Sequence, residues 1–194
     1  MIVRGFLKGF MNLYCHIVYR MKVMGMENIP KEGAAIICPN HVHVLDSISF
    51  VPRIRRRVYI MAKEELFKGW FKNYIFREVD CFPVKRGKGD MEAIDTASEY
   101  LKEGKLLLMF TEGTRNLLAR GGKIKKGASR LALTENVPII PVGIQGNYKP
   151  FSKVKITIGK PISMEKYTTG TEVTHEEIND LTEKLQEEIL SLKA

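Results

Sequence analysis

Residues 34–46 read Ala-Ala-Ile-Ile-Cys-Pro-Asn-His-Val-His-Val-Leu-Asp, and this stretch decides the fold. The apolar run Ala34–Cys38 stops at Pro39, which predicts a short strand that is buried on both faces. A polar turn follows, and Asp46–Val51 then predicts a short helix that must stop before Pro52. A buried strand that leads through a polar turn into a helix is the repeating unit of α/β proteins.

The same alternation continues along the rest of the chain. Further strands are predicted at Val58–Met61, Cys81–Val84, Lys105–Phe110, Val137–Ile144 and Val154–Ile158. Further helices are predicted at Leu66–Phe76, Asp90–Lys102, Lys126–Leu133 and Glu176–Leu192, the last one begun by a capping box of Thr174 and Glu177. We therefore expect an α/β fold with a mixed, largely parallel sheet flanked by helices, and functional residues where strands end in loops.

Residues 1–24 differ from the rest of the chain because they carry apolar side chains at helical spacing between basic ones. The stripe consists of Phe6, Phe10, Leu13, Ile17 and Met21. The longest uncharged run is far short of the ~20 apolar residues that a membrane span needs. We expect an amphipathic helix over 1–24 that lies in a membrane interface, and a single α/β domain over 25–194. A helix packed on the protein's own core is the alternative.

The charge of the chain points to an anionic partner. The net charge is +9, and residues 172–194 alone carry −5, so the remaining 171 residues carry +14. Such a basic body suits nucleic acid, an anionic membrane or a phosphorylated small molecule. The three cysteines, Cys15, Cys38 and Cys81, are too few and too scattered for a disulfide framework or a zinc knuckle, and they fit a reducing, cytosolic setting.

His41 and Asp46 are the first candidates for chemistry. On a regular helix, residues five apart are turned by about 500° and do not face each other. They can meet if His41 lies on the turn after the strand and Asp46 begins the helix. A carboxylate on one imidazole nitrogen then fixes the tautomer and leaves the other nitrogen as a base for a substrate hydroxyl. Taken alone, such a pair is more often a turn residue and a helix cap.

His43 raises a different chemistry, because His-x-His can bind a metal ion. The spacing to Asp46 does not match a His-x-His-x-Asp-His metallohydrolase, and only His16 and His175 remain elsewhere in the chain. A catalytic metal is therefore not expected.

Three more blocks follow the His41 motif in order. They are Phe82-Pro83-Val84-Lys85-Arg86-Gly87, Thr111-Glu112-Gly113-Thr114-Arg115 and the apolar run Val137-Pro138-Ile139-Ile140-Pro141-Val142; Lys125-Lys126-Gly127-Ala128 begins a helix between the last two. With Asn40 to Asp46, this order and spacing resemble the glycerolipid acyltransferase family that includes 1-acylglycerol-3-phosphate acyltransferases. The resemblance covers roughly residues 24–145, and Gly25–Pro30 is similar to the family's lead-in.

The resemblance implies a role for each site residue. His41 would be the base and Asp46 its partner, while Arg86 and Arg115 would bind the acceptor's phosphate. Glu112, Gly113 and Thr114 would shape the substrate site. A guanidinium suits phosphate because its planar fork donates two hydrogen bonds and stays charged. One position departs from the family pattern, since His43 stands where a serine is common.

The resemblance also implies a reaction: transfer of a fatty acyl chain from acyl-CoA or acyl carrier protein to the sn-2 hydroxyl of lysophosphatidic acid, giving phosphatidic acid. No cofactor, metal or nucleic-acid partner is implied, and the enzyme would be peripheral on the cytoplasmic face of an anionic membrane. Glycerol-3-phosphate, another lysophospholipid or an aminolipid remain alternative acceptors. A non-catalytic lipid-binding module and, from charge alone, a nucleic-acid binder are the alternatives to an enzyme.

Two other clusters stand out. Arg53, Arg55, Arg56 and Arg57 could contact lipid headgroups, coenzyme A phosphates or an acidic carrier, or form a solvated face. Trp70, Phe71, Tyr74 and Phe76 could line an acyl groove or enter a membrane, although their helical spacing favours core packing.

Overall fold

One seven-stranded sheet forms the centre of the protein in the computed structural model, which describes residues 2–85, 91–167 and 172–193. The strand order is β1-β7-β6-β2-β5-β3-β4, the β6–β7 pair is antiparallel, and the other pairings between these strands are parallel. The strands are β1 (Arg20–Met24), β2 (Ala35–Pro39), β3 (Val58–Lys63), β4 (Cys81–Val84), β5 (Leu106–Leu108), β6 (Ile139–Gln145) and β7 (Lys153–Ile158). The expected mixed, largely parallel sheet is confirmed.

Helices lie on both sides of this sheet. They are α1 (Ile2–Val18), α2 (Asp46–Phe50), α3 (Trp70–Glu78), α4 (Met91–Lys102), α5 (Gly127–Thr134) and α6 (His175–Ser191). Alternate residues of each strand point to opposite faces. Ile36 and Leu107 accordingly pack in the core beneath α4, α5 and α6, whereas Ile37 and Leu108 pack in the core shared with α1 and α2. The sheet is therefore buried on both faces, which explains why its central strands read as unbroken apolar runs.

The first strand is a correction to the sequence prediction. The expected helix over 1–24 ends at Val18, and Arg20–Met24 instead pairs in parallel with β7. Met21, which was placed on the apolar stripe of the helix, is buried in the sheet. The sequence misled because Met21 lies four residues after Ile17, a spacing that also continues a helical stripe. Residues 20–24 belong to the sheet of the α/β domain.

The α1 and α6 helices use their apolar stripes in different ways. Ile178, Leu181, Leu185 and Ile189 of α6 are buried, and the predicted capping box of Thr174 and Glu177 is present. On α1 the stripe faces outward, with Phe6, Phe10, Leu13 and Ile17 all more than half exposed at 72%, 56%, 59% and 62%. Within the described ranges, no helix has the length and apolarity to cross a bilayer.

The parallel strands also place the site. β2 and β5 are neighbours, with Ile37 opposite Leu108, so their carboxyl ends meet at one edge of the sheet. His41 follows the end of β2 and Glu112 follows the end of β5. The two sequence motifs are thereby brought together, as expected where strands end in loops.

Candidate active site

His41 and Asp46 form a hydrogen-bonded pair. Nδ1 of His41 lies 2.7 Å from Oδ2 of Asp46, which begins α2. The Asp46 side chain is fully buried. The His41 side chain is 15% exposed, and His41 lines a cavity. With the Nδ1 proton donated to the carboxylate, Nε2 is left as the free base. The predicted arrangement, a histidine on the turn and an aspartate at the helix start, is what the structure contains.

Asp46 also holds the turn in shape. The same oxygen, Oδ2, accepts hydrogen bonds from the backbone N–H groups of Val42 and His43, at 2.7 and 2.8 Å. Ser49 adds a bond of 2.5 Å from its hydroxyl to the Asp46 carbonyl. Among the described residues, the other carboxylate oxygen, Oδ1, is buried without a hydrogen-bond partner. One carboxylate thus fixes both the imidazole and the loop that carries it.

Glu112 approaches the same loop from the end of β5. Its Oε1 accepts a hydrogen bond of 2.7 Å from the backbone N–H of His41, and its Oε2 accepts one of 2.9 Å from Leu118. The side chain is 2% exposed and is not part of the cavity wall. Glu112 thus joins two loops, because both of its oxygens accept from backbone donors, and its expected part in substrate binding stays a prediction.

Two asparagines complete the support of His41. The Asn40 side chain is fully buried and pairs with both backbone groups of Ile144, at 2.9 and 2.5 Å. The Asn116 N–H donates to the His41 carbonyl at 2.7 Å. Asn116 has a φ of +59°, a left-handed conformation that asparagine tolerates better than most residues. His41 is thus held through its N–H, its carbonyl and its side chain.

A long cavity opens beside His41. Its volume is about 820 Å³, and much of its wall is apolar, including Ile48, Val51, Ile60, Phe76, Val79 and Met109. Val51 and Ile60 are buried, whereas Val44 and Leu66, which also line the cavity, are 55% and 40% exposed. This size and lining are typical of pockets that enclose an apolar ligand.

Cationic side chains also line the cavity. They are Lys8, Lys63, Lys85, Arg115 and Lys125. Gly113 and Thr114 also line the cavity, so three of the predicted substrate-binding residues, these two and Arg115, meet it. Gly113 has a φ of +70°, which favours glycine, and the end of the Lys125 side chain lies over it, with Cε 2.6 Å from where a Cβ would be. Arg86, the other predicted phosphate ligand, lies outside the described residues.

The sequence reading missed Lys63 and Lys125 as cavity residues. Lys63 ends β3 and pairs with Glu65 at 2.7 Å, and Lys125 reaches across Gly113. The sequence offered one usable signal for Lys125, its place directly before the α5 helix in a block already noted. It offered none for Lys63, because its place in the cavity depends on β3 lying next to β5.

His43 faces away from the cavity. Its ring stacks on Tyr148 with centroids 4.8 Å apart, and its Nδ1 accepts a bond of 3.3 Å from the Leu45 N–H. Tyr148 is buried, with a φ of +51°, and its hydroxyl donates to Ser49 at 3.1 Å. Burial, followed by the nearby charge of Asp46, raises the pKa of Tyr148. The histidine at the position where a serine is common therefore packs against Tyr148, behind the turn that carries His41.

The other clusters are also placed by the structure. Arg56 donates to the carbonyls of Pro30, Gly33 and Gly104, and Arg57 pairs with Asp80 at 2.6 Å. The arginine cluster is thus in part structural. Phe76 lines the cavity, but Trp70, Phe71 and Tyr74 are exposed, so the expectation of core packing was wrong for those three.

The cysteines are not activated nucleophiles. Burial raises the pKa of Cys38, and burial together with the charge of Asp80 raises the pKa of Cys81 to about 12. Within the described part of the chain, no three His, Cys, Asp or Glu side chains are grouped so that they could hold a metal ion.

Comparison with known proteins agrees with this geometry. The family model described as Acyltransferase matches residues 20–145. A Bacillus subtilis 1-acyl-sn-glycerol-3-phosphate acyltransferase is 30% identical over 127 residues, which is 65% of this chain and 63% of the relative. A protein of the same name from Borreliella burgdorferi is 32% identical over 136 residues, which is 68% of this chain and 53% of the relative. The chain thus spans about half to under two thirds of these curated relatives.

A solved structure extends the match to nearly the whole chain. The 1-acyl-sn-glycerophosphate (LPA) acyltransferase PlsC from Thermotoga maritima superposes with a TM-score of 0.71 at 26% identity, covering 97% of this chain and 80% of that one. The matched region of the family model contains the His41–Asp46 turn, the Glu112–Arg115 loop and β6. The chain belongs to the acyltransferase family.

Proposed function

We propose that this protein transfers a fatty acyl chain from a thioester donor, acyl-CoA or acyl carrier protein, to the sn-2 hydroxyl of lysophosphatidic acid, forming phosphatidic acid. The observation that carries the proposal is the His41–Asp46 pair, at 2.7 Å, with His41 on the wall of a cavity whose lining is mostly apolar and also includes Arg115 and Lys125. An apolar chain and a phosphate are the two chemical groups that such a cavity accommodates.

The chemistry follows from the free Nε2 of His41. It takes the proton from the acceptor hydroxyl as the oxygen attacks the thioester carbonyl. A carbon–oxygen bond forms and the carbon–sulfur bond breaks, and the leaving thiolate receives the proton back from His41. Asp46 stabilises the imidazolium that exists between the two proton transfers. The products are an ester and a thiol, so no further reactant is needed.

Arg115 and Lys125 are the acceptor's phosphate ligands in this proposal, and Arg86 is expected to join them. Arg115 and Lys125 are exposed on the cavity wall close to Gly113. A phosphate held there lets the acceptor hydroxyl approach His41 in a fixed orientation, which removes much of the entropy cost of bringing two reactants together.

The acyl chain is proposed to occupy the inner part of the cavity. The wall formed by Ile48, Val51, Ile60 and Met109 is apolar, and burying a chain there removes it from water at about 0.8 kcal/mol for each CH₂ group. The carbonyl carbon then lies at the His41 end of the cavity.

We infer further that α1 lies in the interface of an anionic membrane, which makes the protein peripheral on the cytoplasmic face. The support is the exposed stripe of Phe6, Phe10, Leu13 and Ile17, which would otherwise meet water.

An intact His41–Asp46 pair on a cavity disfavours a non-catalytic lipid-binding module, because such a module has no need of an oriented base.

The test is an acyl-transfer assay with palmitoyl-CoA and palmitoyl acyl carrier protein as donors and lysophosphatidic acid as acceptor, in mixed micelles that contain anionic lipid. Phosphatidic acid is quantified by mass spectrometry for the unmodified protein, for His41→Ala, and for His175→Ala. His175 is the matched control, because it is exposed at the start of α6 and away from the cavity.

Product from the unmodified protein and His175→Ala, but not from His41→Ala, is the expected result. If product forms only with glycerol-3-phosphate or another lysophospholipid, the acceptor assignment is wrong and the reaction class stands. Equal product from His41→Ala would remove the proposed base.

A further inference from the structure

The start of the α5 helix forms part of the cavity wall. Gly127 and Ala128, its first two residues, both line the cavity. The first N–H groups of a helix have no partner within the helix, and they carry the positive end of its dipole. Lys126, which precedes the helix, provides no side-chain cap, and the N–H groups of Gly127 and Ala128 bond to no acceptor in the described ranges. A helix that begins in this way favours an anion.

Thr111 brings a second unpaired donor to the same wall. It lines the cavity, is 4% exposed, and has a buried hydroxyl without a hydrogen-bond partner among the described residues. Met109 packs in the core that contains Ala128, whereas Phe110 packs on the other face of the sheet. Continued alternation places the Thr111 side chain on the α5 side. The Thr111 carbonyl also accepts a hydrogen bond of 2.8 Å from the Lys125 N–H, which ties it to the residues that begin the helix.

The cavity wall carries more positive than negative charge. Against its five cationic residues, Asp80 is the one acidic residue among the described residues that line it, and Asp80 pairs with Arg57 at 2.6 Å. Glu112, which follows Thr111, accepts hydrogen bonds from two backbone N–H groups. On α6, which packs against α5, Glu183 and Glu187 are exposed and do not line the cavity. The unpaired donors therefore face a cavity that attracts anions.

We propose that the start of α5 and the Thr111 hydroxyl form a subsite for the phosphate of the acceptor, beside Arg115 and Lys125. The N–H groups of Gly127 and Ala128 and the Thr111 hydroxyl donate to the phosphate oxygens, while the two cations balance its charge. The identity of the acceptor rests on the proposed function. The phosphate as ligand rests on the unpaired donors and on the charge of the wall.

A phosphate fits this set of donors better than the thioester carbonyl does. A phosphate group offers several acceptor oxygens and about two negative charges, so it can use all of these donors and both cations at once. The oxygen of a tetrahedral intermediate is a single atom, and a small number of donors is enough to stabilise it. The size of the donor set and the adjoining Lys125 favour the phosphate, and the thioester oxygen is an outcome of the test.

Binding of glycerol-3-phosphate to the whole chain, followed by phosphorus NMR, tests the subsite without catalysis. Thr111→Val removes the hydroxyl and nearly keeps the shape of the side chain. We expect binding to weaken by about tenfold, because a hydrogen bond to a charged group is lost. The melting temperature should stay the same or rise, because the variant buries no unpaired hydroxyl at this position.

The chain offers a matched control for this change. Thr157 on β7 also has a buried hydroxyl without a partner in the described part of the chain, but it does not line the cavity. Thr157→Val should therefore bind glycerol-3-phosphate as the unmodified protein does. Thr111→Ser, which restores a hydroxyl, should bind more tightly than Thr111→Val.

The start of α5 is tested separately by a charge. A Cβ at Gly127 would meet no other part of the chain within 4 Å, so a side chain fits there. Gly127→Asp adds a carboxylate, which stabilises a helix start but repels a phosphate, and Gly127→Asn adds a neutral side chain of the same shape. We expect the Asp variant to bind glycerol-3-phosphate about tenfold more weakly than the Asn variant. Equal affinities would place the phosphate away from α5 and overturn the proposal.

Transfer kinetics separate this proposal from the proposed function. For Thr111→Val we expect a raised KM for the acceptor and a nearly unchanged kcat. A lower kcat with unchanged binding would overturn the proposal and assign the hydroxyl to the thioester oxygen. If Arg115→Ala loses binding and Thr111→Val binds as tightly as Thr157→Val, the subsite is wrong and the acyltransferase stands. If the binding losses occur as expected but no acceptor is acylated, the subsite stands and the proposed reaction is wrong.

Discussion

The two ends of the active site are built in opposite ways. At the His41 turn, the Asp46 and Glu112 side chains are buried and their oxygens accept from the imidazole and from backbone N–H groups. At the other end, Arg115 and Lys125 are exposed and make no ion pair with a described residue. In the proposed function, the closed end fixes the proton acceptor before substrate arrives, and the open end keeps its charges for the phosphate of the acceptor. Changes at the first should therefore alter kcat and stability, and changes at the second should alter KM.

The largest effect is expected for Asp46→Asn. Asparagine can place its one oxygen where Oδ2 accepts, but its N–H₂ group then fills the buried Oδ1 position without a hydrogen-bond partner, and a neutral side chain cannot stabilise the imidazolium. We expect kcat to fall by about 10³-fold and the free energy of unfolding to fall by about 2 kcal/mol. Steady-state kinetics and chemical denaturation measure both, with the exposed Asp95→Asn as control. A loss of activity with full stability would separate the two roles assigned to Asp46.

Arg115→Ala is the counterpart at the open end. It removes a charged phosphate ligand from an exposed position, so we expect KM for the acceptor to rise by about 10- to 100-fold, with kcat and the melting temperature nearly unchanged. Arg130→Ala on α5 is the matched control, since Arg130 is exposed and not part of the cavity wall. A fall in kcat with an unchanged KM would show that Arg115 contributes to the chemical step.

Glu112→Gln tests the boundary between the two ends, because Glu112 and Arg115 belong to one motif. The amide can accept only one of the two bonds that the carboxylate accepts from His41 and Leu118. We expect stability to fall by about 1–2 kcal/mol, kcat to fall about tenfold because the His41 turn loosens, and acceptor KM to stay the same. Glu99→Gln, on the exposed side of α4, is the control. A rise in the KM for the acceptor, without a change in kcat or stability, would show that Glu112 is a substrate ligand.

The smallest effect is expected behind the closed end, at Tyr148→Phe. The Tyr148 hydroxyl donates to Ser49, whose own hydroxyl donates to the Asp46 carbonyl. We expect kcat to fall about fivefold, because the polar surroundings of the carboxylate are reduced. The change should add nothing when it is combined with Asp46→Asn, since both act on the same carboxylate. Additive losses in the double variant would mean that Tyr148 acts elsewhere.

Much of this fold could be predicted from the chain alone. Ala34–Cys38 is apolar throughout, and Lys105–Phe110 is apolar after its first residue, so their burial in a parallel sheet follows from composition. The Thr174–Glu177 capping box places the start of α6 at His175, one residue before the predicted Glu176. β1 was missed because Arg20–Met24 is short and is stabilised by β7, which lies more than a hundred residues later in the chain.

The site was only partly predictable for a similar reason. The motifs identified His41 and Asp46, but they did not distinguish Glu112, which turns inward to the backbone, from Arg115, which turns outward to the cavity. That difference depends on how two loops pack at the end of a sheet, and no local pattern encodes it. Periodicity likewise predicted stripes on α1 and α6, whereas the expectation that the α1 stripe faces outward came from its aromatic and basic residues and not from the period.

Cys81 lies on the cavity wall, and this has a consequence for an enzyme that handles thioesters. A thiolate in the acyl cavity could exchange with the donor and leave the fatty chain attached to the protein. Because burial raises the pKa of Cys81 to about 12, only about one thiol in 10⁵ is ionised at neutral pH. In the proposed function, burial therefore keeps the Cys81 thiol on the cavity wall from attacking the donor thioester.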